Sequence, residues 1–398
     1  MSEIRRQAYG AFLFLLSVGA SAQPVDGVKL APGTRIVPEI SAVFLSDSNF
    51  YNSRTDEESV TGSIVSPAVR LESNSRRSQF AAGASAQAGF FDNGDQDDYV
   101  DSHLYGRYHY QGGVRHRFSV GLARHNEHDA FGRRRTEGTA LRDQDLDEYR
   151  ENVANVGYKF GATNALINAR IDFNYLDREY TTNRDQGTKF LDYDAFEQKA
   201  SLFYNVSPKT AVVFKFSNRD IEYPETRAGF PNRAATERRA SVGFEWLATG
   251  KTTGRFFIGG MERDPDSNEF DTFSGLDWGL SMDWSPRPTT TISLATSRET
   301  DESFLVNSSF IDKKSAAAGW LQQWSRIFST TFKMTRTERD FEDVGRTDDT
   351  IAAELTGTLQ VAKNIQVFTT ASYIDRESNF QARIFDKSTF LVGFKYQR

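Results

Sequence analysis

The 398-residue chain contains no cysteine. A disulfide framework, a thiolate metal site and a cysteine nucleophile are therefore all excluded, as suits an oxidising compartment. Beyond Val18 there is no run approaching the roughly 20 apolar residues a membrane helix needs, and the mean hydropathy is −0.56. That excludes a helical membrane protein. No Gly-rich loop follows a strand and opens a helix, so no nucleotide site is expected. There is no basic excess either: the formal net charge is −6, which gives no reason to expect nucleic acid. What the chain does have is rings. Phe 32 and Tyr 15 bring the aromatic content to 13%, a large share for a chain this polar. A barrel in a membrane reconciles the two, because only alternate residues of each strand face lipid.

The N-terminus has the pattern of a secretory signal peptide. Arg5 and Arg6 precede an apolar run from Ala8 to Val18, and Ala20-Ser21-Ala22 supplies a small-x-small site before Gln23. Cleavage after Ala22 is expected. It would remove Glu3, Arg5 and Arg6, one negative and two positive charges, and take the net charge from −6 to −7. The expected organisation is a signal peptide over 1–22, a short periplasmic segment over 23–33 and one indivisible barrel over 34–398.

From Thr34 onward the apolar residues recur with period two, not 3.6. Ala165 to Asp177 sets Ile167, Ala169, Ile171, Phe173 and Tyr175 against Asn168, Arg170, Asp172 and Asn174. Phe196 to Val206, Ala240 to Trp246 and Leu276 to Trp284 alternate in the same way. The last such stretch, Ser388 to Tyr396, places Phe390, Val392, Phe394 and Tyr396 on one face and Leu391, Gly393 and Lys395 on the other. An unpaired terminal strand with aromatics on one face would aggregate in water, so closure onto the first strand, near Ile36, is expected.

Short turns are read at 111–113, 161–163, 207–209, 249–251, 285–288 and 362–364, where Gly, Pro and Asn permit tight reversals. Longer charged connections alternate with them at 47–58, 92–98, 127–148, 180–192, 223–236, 300–307, 341–348 and 377–386. Together they predict an all-β, antiparallel, up-and-down transmembrane barrel of about 18 strands, with short turns facing the periplasm and long loops facing outward. The pattern is weakest over Val60 to Glu72, around Pro67, and over Ser309 to Gln323, where Asp312, Lys313 and Lys314 interrupt it.

The parity assigns a set of charged residues to the lumen: Glu151, Lys159, Arg170, Asp172, Glu197, Lys199, Lys215, Arg219, Arg239, Glu245, Arg255, Asp277, Asp283, Lys333, Glu354 and Lys395. Both signs occur. Read plainly, they form cross-strand ion pairs that keep a wide pore hydrated. The functional alternative is a polar track on which a hydroxyl-rich polymer slides without a deep binding minimum. Trp246, Trp284 and Trp324, each beside an expected periplasmic turn, together with Tyr396, are assigned to an interfacial aromatic girdle. The five histidines, at 103, 109, 116, 125 and 128, fall in one hairpin. Pairing of Gln111 with Arg115 would turn His103 and His109 to the lumen and set Asp101 opposite His125. No close ligand pair exists among them, so neither a metal nor a cofactor is expected. A barrel hydrolase would need a Ser or Thr beside a His, and the abundance of hydroxyls makes that pattern uninformative. The loop 127–148, with Arg133, Arg134 and Arg135 near Asp143, Asp145, Asp147 and Glu148, is either solvated or folded inward as a constriction.

Several stretches together resemble the outer-membrane β-barrel porin family encoded with exopolysaccharide and capsule synthesis genes. They are Ile36-Val37-Pro38-Glu39-Ile40 with Asp47-Ser48-Asn49-Phe50, Val65-Ser66-Pro67, Tyr204 to Thr210, Gly243 to Gly254, Phe273 to Leu276, Trp284-Ser285-Pro286 and Arg376-Glu377-Ser378. They run through almost the whole expected mature chain. One departure is the end, where Gln397 and Arg398 follow the aromatic Tyr396. The resemblance implies export of a secreted polysaccharide through the outer membrane, with a periplasmic polysaccharide export protein as partner and no catalytic residues. Lipopolysaccharide, outer-membrane lipid and the barrel assembly machinery are the other partners such a barrel implies. The rival expectations are a general or solute-specific diffusion porin and, second, a barrel hydrolase.

Overall fold

The computed structural model describes residues 27–138, 145–163, 165–249 and 251–398. The expected signal peptide, 1–22, lies outside these residues, as do Asp143 and Gly250. The described strands are β1 (Val28–Ala31), β2 (Thr34–Asp47), β3 (Val60–Asn74), β4 (Ser78–Phe91), β5 (Tyr99–Gly112), β6 (His116–Asp129), β7 (Asp147–Phe160), β8 (Ile167–Tyr180), β9 (Tyr193–Ser207) and β10 (Thr210–Glu222). They continue with β11 (Ala235–Thr249), β12 (Thr252–Pro265), β13 (Phe273–Arg287), β14 (Thr290–Asp301), β15 (Ile311–Gln323), β16 (Phe328–Phe341), β17 (Arg346–Ala362), β18 (Ile365–Ser378) and β19 (Phe385–Gln397).

Each strand from β2 to β19 pairs antiparallel with its sequence neighbour, and β19 pairs with β2, closing an 18-strand barrel. Closure removes the sheet's two outer edges, which lipid would otherwise leave without partners. The seam lies higher on the first strand than the sequence suggests: Tyr396 meets Ile40 and Gln397 meets Glu39. Ile36 instead pairs with Val28 of β1, which fills the slot beneath the end of β19, so the chain joins the sheet before Thr34.

Three connections escape the turn rhythm read from the sequence, at 75–77, 266–272 and 324–327. Two of them contain no Gly, Pro or Asn, and serine hydroxyls replace those residues: Ser75 Oγ accepts from the Ser78 amide at 3.0 Å, and Ser325 Oγ from the Phe328 amide at 3.1 Å. The expected turn at 285–288 also moves. β13 runs on to Arg287, and Pro286 sits where the ladder skips from Trp284 to Arg287, so its missing N–H costs no hydrogen bond. In the histidine hairpin Gln111 pairs with Arg117 rather than Arg115, which sets His103, not Asp101, opposite His125.

Large inward rings lie against glycines on the adjacent strand. A Cβ on Gly83 would fall 2.6 Å from Tyr105 Cε1, and one on Gly393 2.5 Å from Phe368 Cζ. Held flat on the wall in this way, the rings narrow the lumen little. The β13–β14 ladder stops at Gly279 and Ser297, and Arg298 bridges the parted strands above that point. Its Nη1 donates to the Leu276 carbonyl at 3.1 Å while Nη2 donates to Asp312 Oδ2 at 2.7 Å.

Candidate functional site

The two faces of the wall are chemically opposite. Phe44, Leu104, Phe173, Phe216, Phe244, Leu355, Phe390 and Phe394 are exposed on the outside. The sixteen charged residues assigned to the lumen from the sequence occupy the other parity of their strands. Many of them meet a partner there. Glu151 accepts from Arg178 at 2.5 Å, Arg170 pairs with Asp172 at 2.7 Å, Lys199 with Glu197 at 2.9 Å and Lys395 with Glu39 at 2.6 Å. Arg239 bridges Asp277 at 3.0 Å and Glu237 at 2.8 Å, while Lys333 lies 3.7 Å from Glu354. Asp283 accepts from Ser293 Oγ at 2.6 Å, and Glu245 and Arg255 face each other in register. Lys159 and Lys215 stand over the Phe203 and Phe257 rings at 4.0 and 4.9 Å. Arg219 reaches up to Glu302 of the loop 302–310. On the outer face, Trp284 and Tyr396 are exposed in the last residues of their strands, Trp246 packs over Gly254, and Trp324 is exposed in the turn after β15.

The loop after β6 enters the barrel. Phe131, Thr136 and Glu137 are buried, and Gly132 adopts φ +73° against the Tyr51 carbonyl, where no Cβ fits. Asn52 Nδ2 donates to the Gly132 carbonyl at 3.2 Å, and Arg134 pairs with Asp129 at 3.3 Å beneath the Phe304 ring. At its far point, Glu137 accepts from Arg346 Nη2 at 2.7 Å and from Arg376 Nη1 at 3.0 Å. Arg346 opens β17 and Arg376 lies near the end of β18, seven and six strands from β6 by the shorter way round the ring. Residues 130–138 thus reach across the mouth and are clamped to β17 and β18.

Three further loops close the rest. Tyr149, Tyr180, Leu191, Phe304, Ile311 and Phe341 form one buried apolar cluster, bringing the loops 181–192 and 302–310 together across the barrel. A single guanidinium ties them: Arg233, on the loop 223–234, donates to the carbonyls of Ser303 and Phe190. Glu302 is drawn down between Arg263 at 2.9 Å and Arg219 at 3.5 Å, and accepts from Tyr223 Oη at 2.6 Å. Burial works against its charge, but the Arg263 and Arg219 guanidiniums outweigh it and hold the carboxyl at about 2, below its ordinary 4.5. Burial and the neighbouring Arg376 push Arg133 below the usual guanidinium value.

Beneath these loops lies a cavity of about 320 Å³ lined by both signs of charge. Its β5–β6 side carries Asp101, Glu127 and Asp129, with His128 Nδ1 2.9 Å from Asp101 Oδ1. Its β16–β19 side carries Arg339, Arg376 and Lys387. His103 and His125 stack at 4.2 Å, and among the described residues no group of three or more His, Asp or Glu is placed to hold a metal ion. Sequence reasoning missed Arg178, Glu237, Arg263, Arg339, Arg376 and Lys387, although all share the inward parity; they lie at the strand ends beside the long loops, away from the lipophilic outer residues that mark the alternation. Glu137, Arg233 and Glu302 sit on loops, where no periodicity could have found them.

A closed barrel with apolar rings outward, paired ions inward and loops folded over one end is a channel of the bacterial outer membrane. The chain belongs to the family described as Putative beta-barrel porin 2, whose model matches residues 33–398. No curated protein matches it by sequence. Among solved structures it is similar to Pseudomonas aeruginosa OpdO, at TM-score 0.50 and 13% identity over 92% of this chain and 98% of that one. It is similar also to Pseudomonas aeruginosa OccK5 (OpdH), at TM-score 0.50 and 11% identity over 93% and 100%. These similarities show the fold, and the family match makes the protein an outer-membrane β-barrel porin.

Proposed function

We propose that this porin is a gated conduit through which an exopolysaccharide or capsular polysaccharide leaves the cell, with a periplasmic polysaccharide export protein docked on its short-turn end. One observation carries the reading: loops fold across the mouth, one of them clamped through Glu137 to Arg346 and Arg376, over an 18-strand wall that is polar inside. A closure made of loops can be displaced by a passing chain, whereas a narrow wall cannot. Two further features support a polymeric cargo. Flat rings held against glycines give pyranose faces a surface to stack on, and cross-strand ion pairs keep the track hydrated with little free charge along the lower wall. The sequence resemblance to barrels encoded with capsule genes supplies the cargo class. Direction would come from polymerisation and the inner-membrane machinery. Deletion of the gene tests this. Polymer should accumulate in the periplasm and vanish from the medium, and a deletion strain that secretes normal amounts removes the proposal.

A further inference from the structure

Charge is not balanced evenly round the vestibule. On the β16–β19 side and the loops against it stand Arg133, Arg339, Arg346, Arg376, Arg383 and Lys387. Three carboxylates lie among them, and each is engaged: Glu137 by Arg346 and Arg376, Asp348 by Arg346, and Asp47 by Lys387 Nζ at 3.0 Å. Asp129 lies within electrostatic reach of Arg133 and Asp301 of Arg339, so six cations face five carboxylates, an excess of about one positive charge. The cations also act on one another, since Arg376 lies within electrostatic reach of Arg133, Arg339, Arg383 and Lys387. Arg339 makes no hydrogen bond or ion pair with any described residue, although Lys313 and Asp348 are its register partners and Asp301 and Glu137 lie near. In the loop after β18, Arg383 Nη1 is buried without an acceptor. Arg133, Arg339, Arg376 and Lys387 all line the one cavity.

Guanidinium donors crowded together without enough carboxylates make a site for an oxyanion, which would accept from the planar forks and relieve their mutual repulsion. We propose that this cluster binds the oxyanion group of the cargo, a carboxylate or a phosphate carried on the saccharide, so that the polymer admitted past residues 130–138 is acidic. This rests on the conduit reading and sharpens it, because a neutral polymer would find no use for the excess charge. Lining of both signs keeps the attraction shallow, so the group is held and released rather than trapped.

The test uses the purified full barrel in planar bilayers. The probes are galacturonic acid, a short oligogalacturonate, glucose 6-phosphate and a neutral malto-oligosaccharide matched in length to the oligogalacturonate. A tenfold KCl gradient should give an anion-selective reversal potential. The oligogalacturonate should block current at concentrations at least tenfold below those needed with the neutral oligomer, and comparison with glucose 6-phosphate tells carboxylate from phosphate preference. Arg339→Gln should shift the reversal potential toward cations and weaken acidic block about tenfold or more. Arg339→Lys should keep the reversal potential but lose part of the block, because the charge stays and the fork is lost. Arg339 makes no hydrogen bond or ion pair with a described residue, so these variants should fold as the parent does, and equal expression and heat-modifiable mobility of the barrel check it. Equal block by acidic and neutral oligomers, or acidic block unchanged in Arg339→Gln, overturns the oxyanion site and leaves the conduit reading standing. Block by monomeric galacturonic acid alone, with no entry of either oligomer, keeps the anion site and removes the polymer.

Discussion

If the mouth is held shut by Glu137, removing that carboxylate should open it by a calculable amount. In Glu137→Ala the loop loses two charge-assisted hydrogen bonds, to Arg346 and Arg376. Each such bond contributes about 1.5–3 kcal/mol, and stripping one partner from a buried ion pair costs about 3–5 kcal/mol. The lower half of that range applies here. Arg346 keeps its two bonds to Asp348, so only Arg376 is left without its partner on the loop. About 3 kcal/mol of lost closure is roughly a hundredfold change in the ratio of open to closed mouths, at about 1.4 kcal/mol per tenfold. Single-channel recording should show the wild type dwelling in a low-conductance state and the variant dwelling largely in a higher one. Deleting residues 131–145 should give the same high state permanently. If conductance and dwell times are unchanged in both, the loop does not constrict the pore and the gating argument is wrong.

Acid should loosen the same mouth by a separate route. The Glu302 carboxyl is depressed to about 2 from an ordinary 4.5, so its stabilisation is complete above pH 4.5 and fades as pH falls through 2. That amounts to about 3 kcal/mol, at 1.36 kcal/mol per unit, and lowering the outer-side pH from 7 to 3 should raise conductance. Glu302→Gln should already show the raised value at pH 7; an acid response that persists unchanged in that variant refutes the assignment. Arg233→Ala should free the loops 181–192 and 302–310 together, because it removes donors to Ser303 and Phe190. Limited proteolysis of the folded barrel should then cut both loops faster, and cutting in only one would show that they are not coupled. Gly83→Val should push Tyr105 off the wall into the lumen, costing about 1–3 kcal/mol of overpacking. The barrel should unfold at lower denaturant, and an unchanged midpoint would show that the ring does not need the glycine.

The sequence by itself determined the wall. Period-two alternation, repeated from Thr34 to Tyr396, is a local consequence of β geometry. It fixed which way Glu151, Arg170, Asp277 and Lys395 point, and the absence of an apolar helix left the barrel as the only membrane solution. It fixed less where the strands stop, because the inward parity persists past the lipid zone: Arg178, Arg263 and Lys387 obey the rule but lie beyond the segments whose outer residues look lipophilic. Turns built on Gly and Pro were legible, while those built on Ser75 and Ser325 were not, since a serine hydroxyl closing a turn looks like any other polar residue in a loop. The closure of the mouth only the tertiary structure decided. Glu137 meets Arg346 more than 200 positions away, and Arg233 meets Ser303 four strands further on. Such contacts depend on the diameter and stagger of the closed barrel, which set what lies opposite what. No pattern confined to neighbouring residues carries that distance.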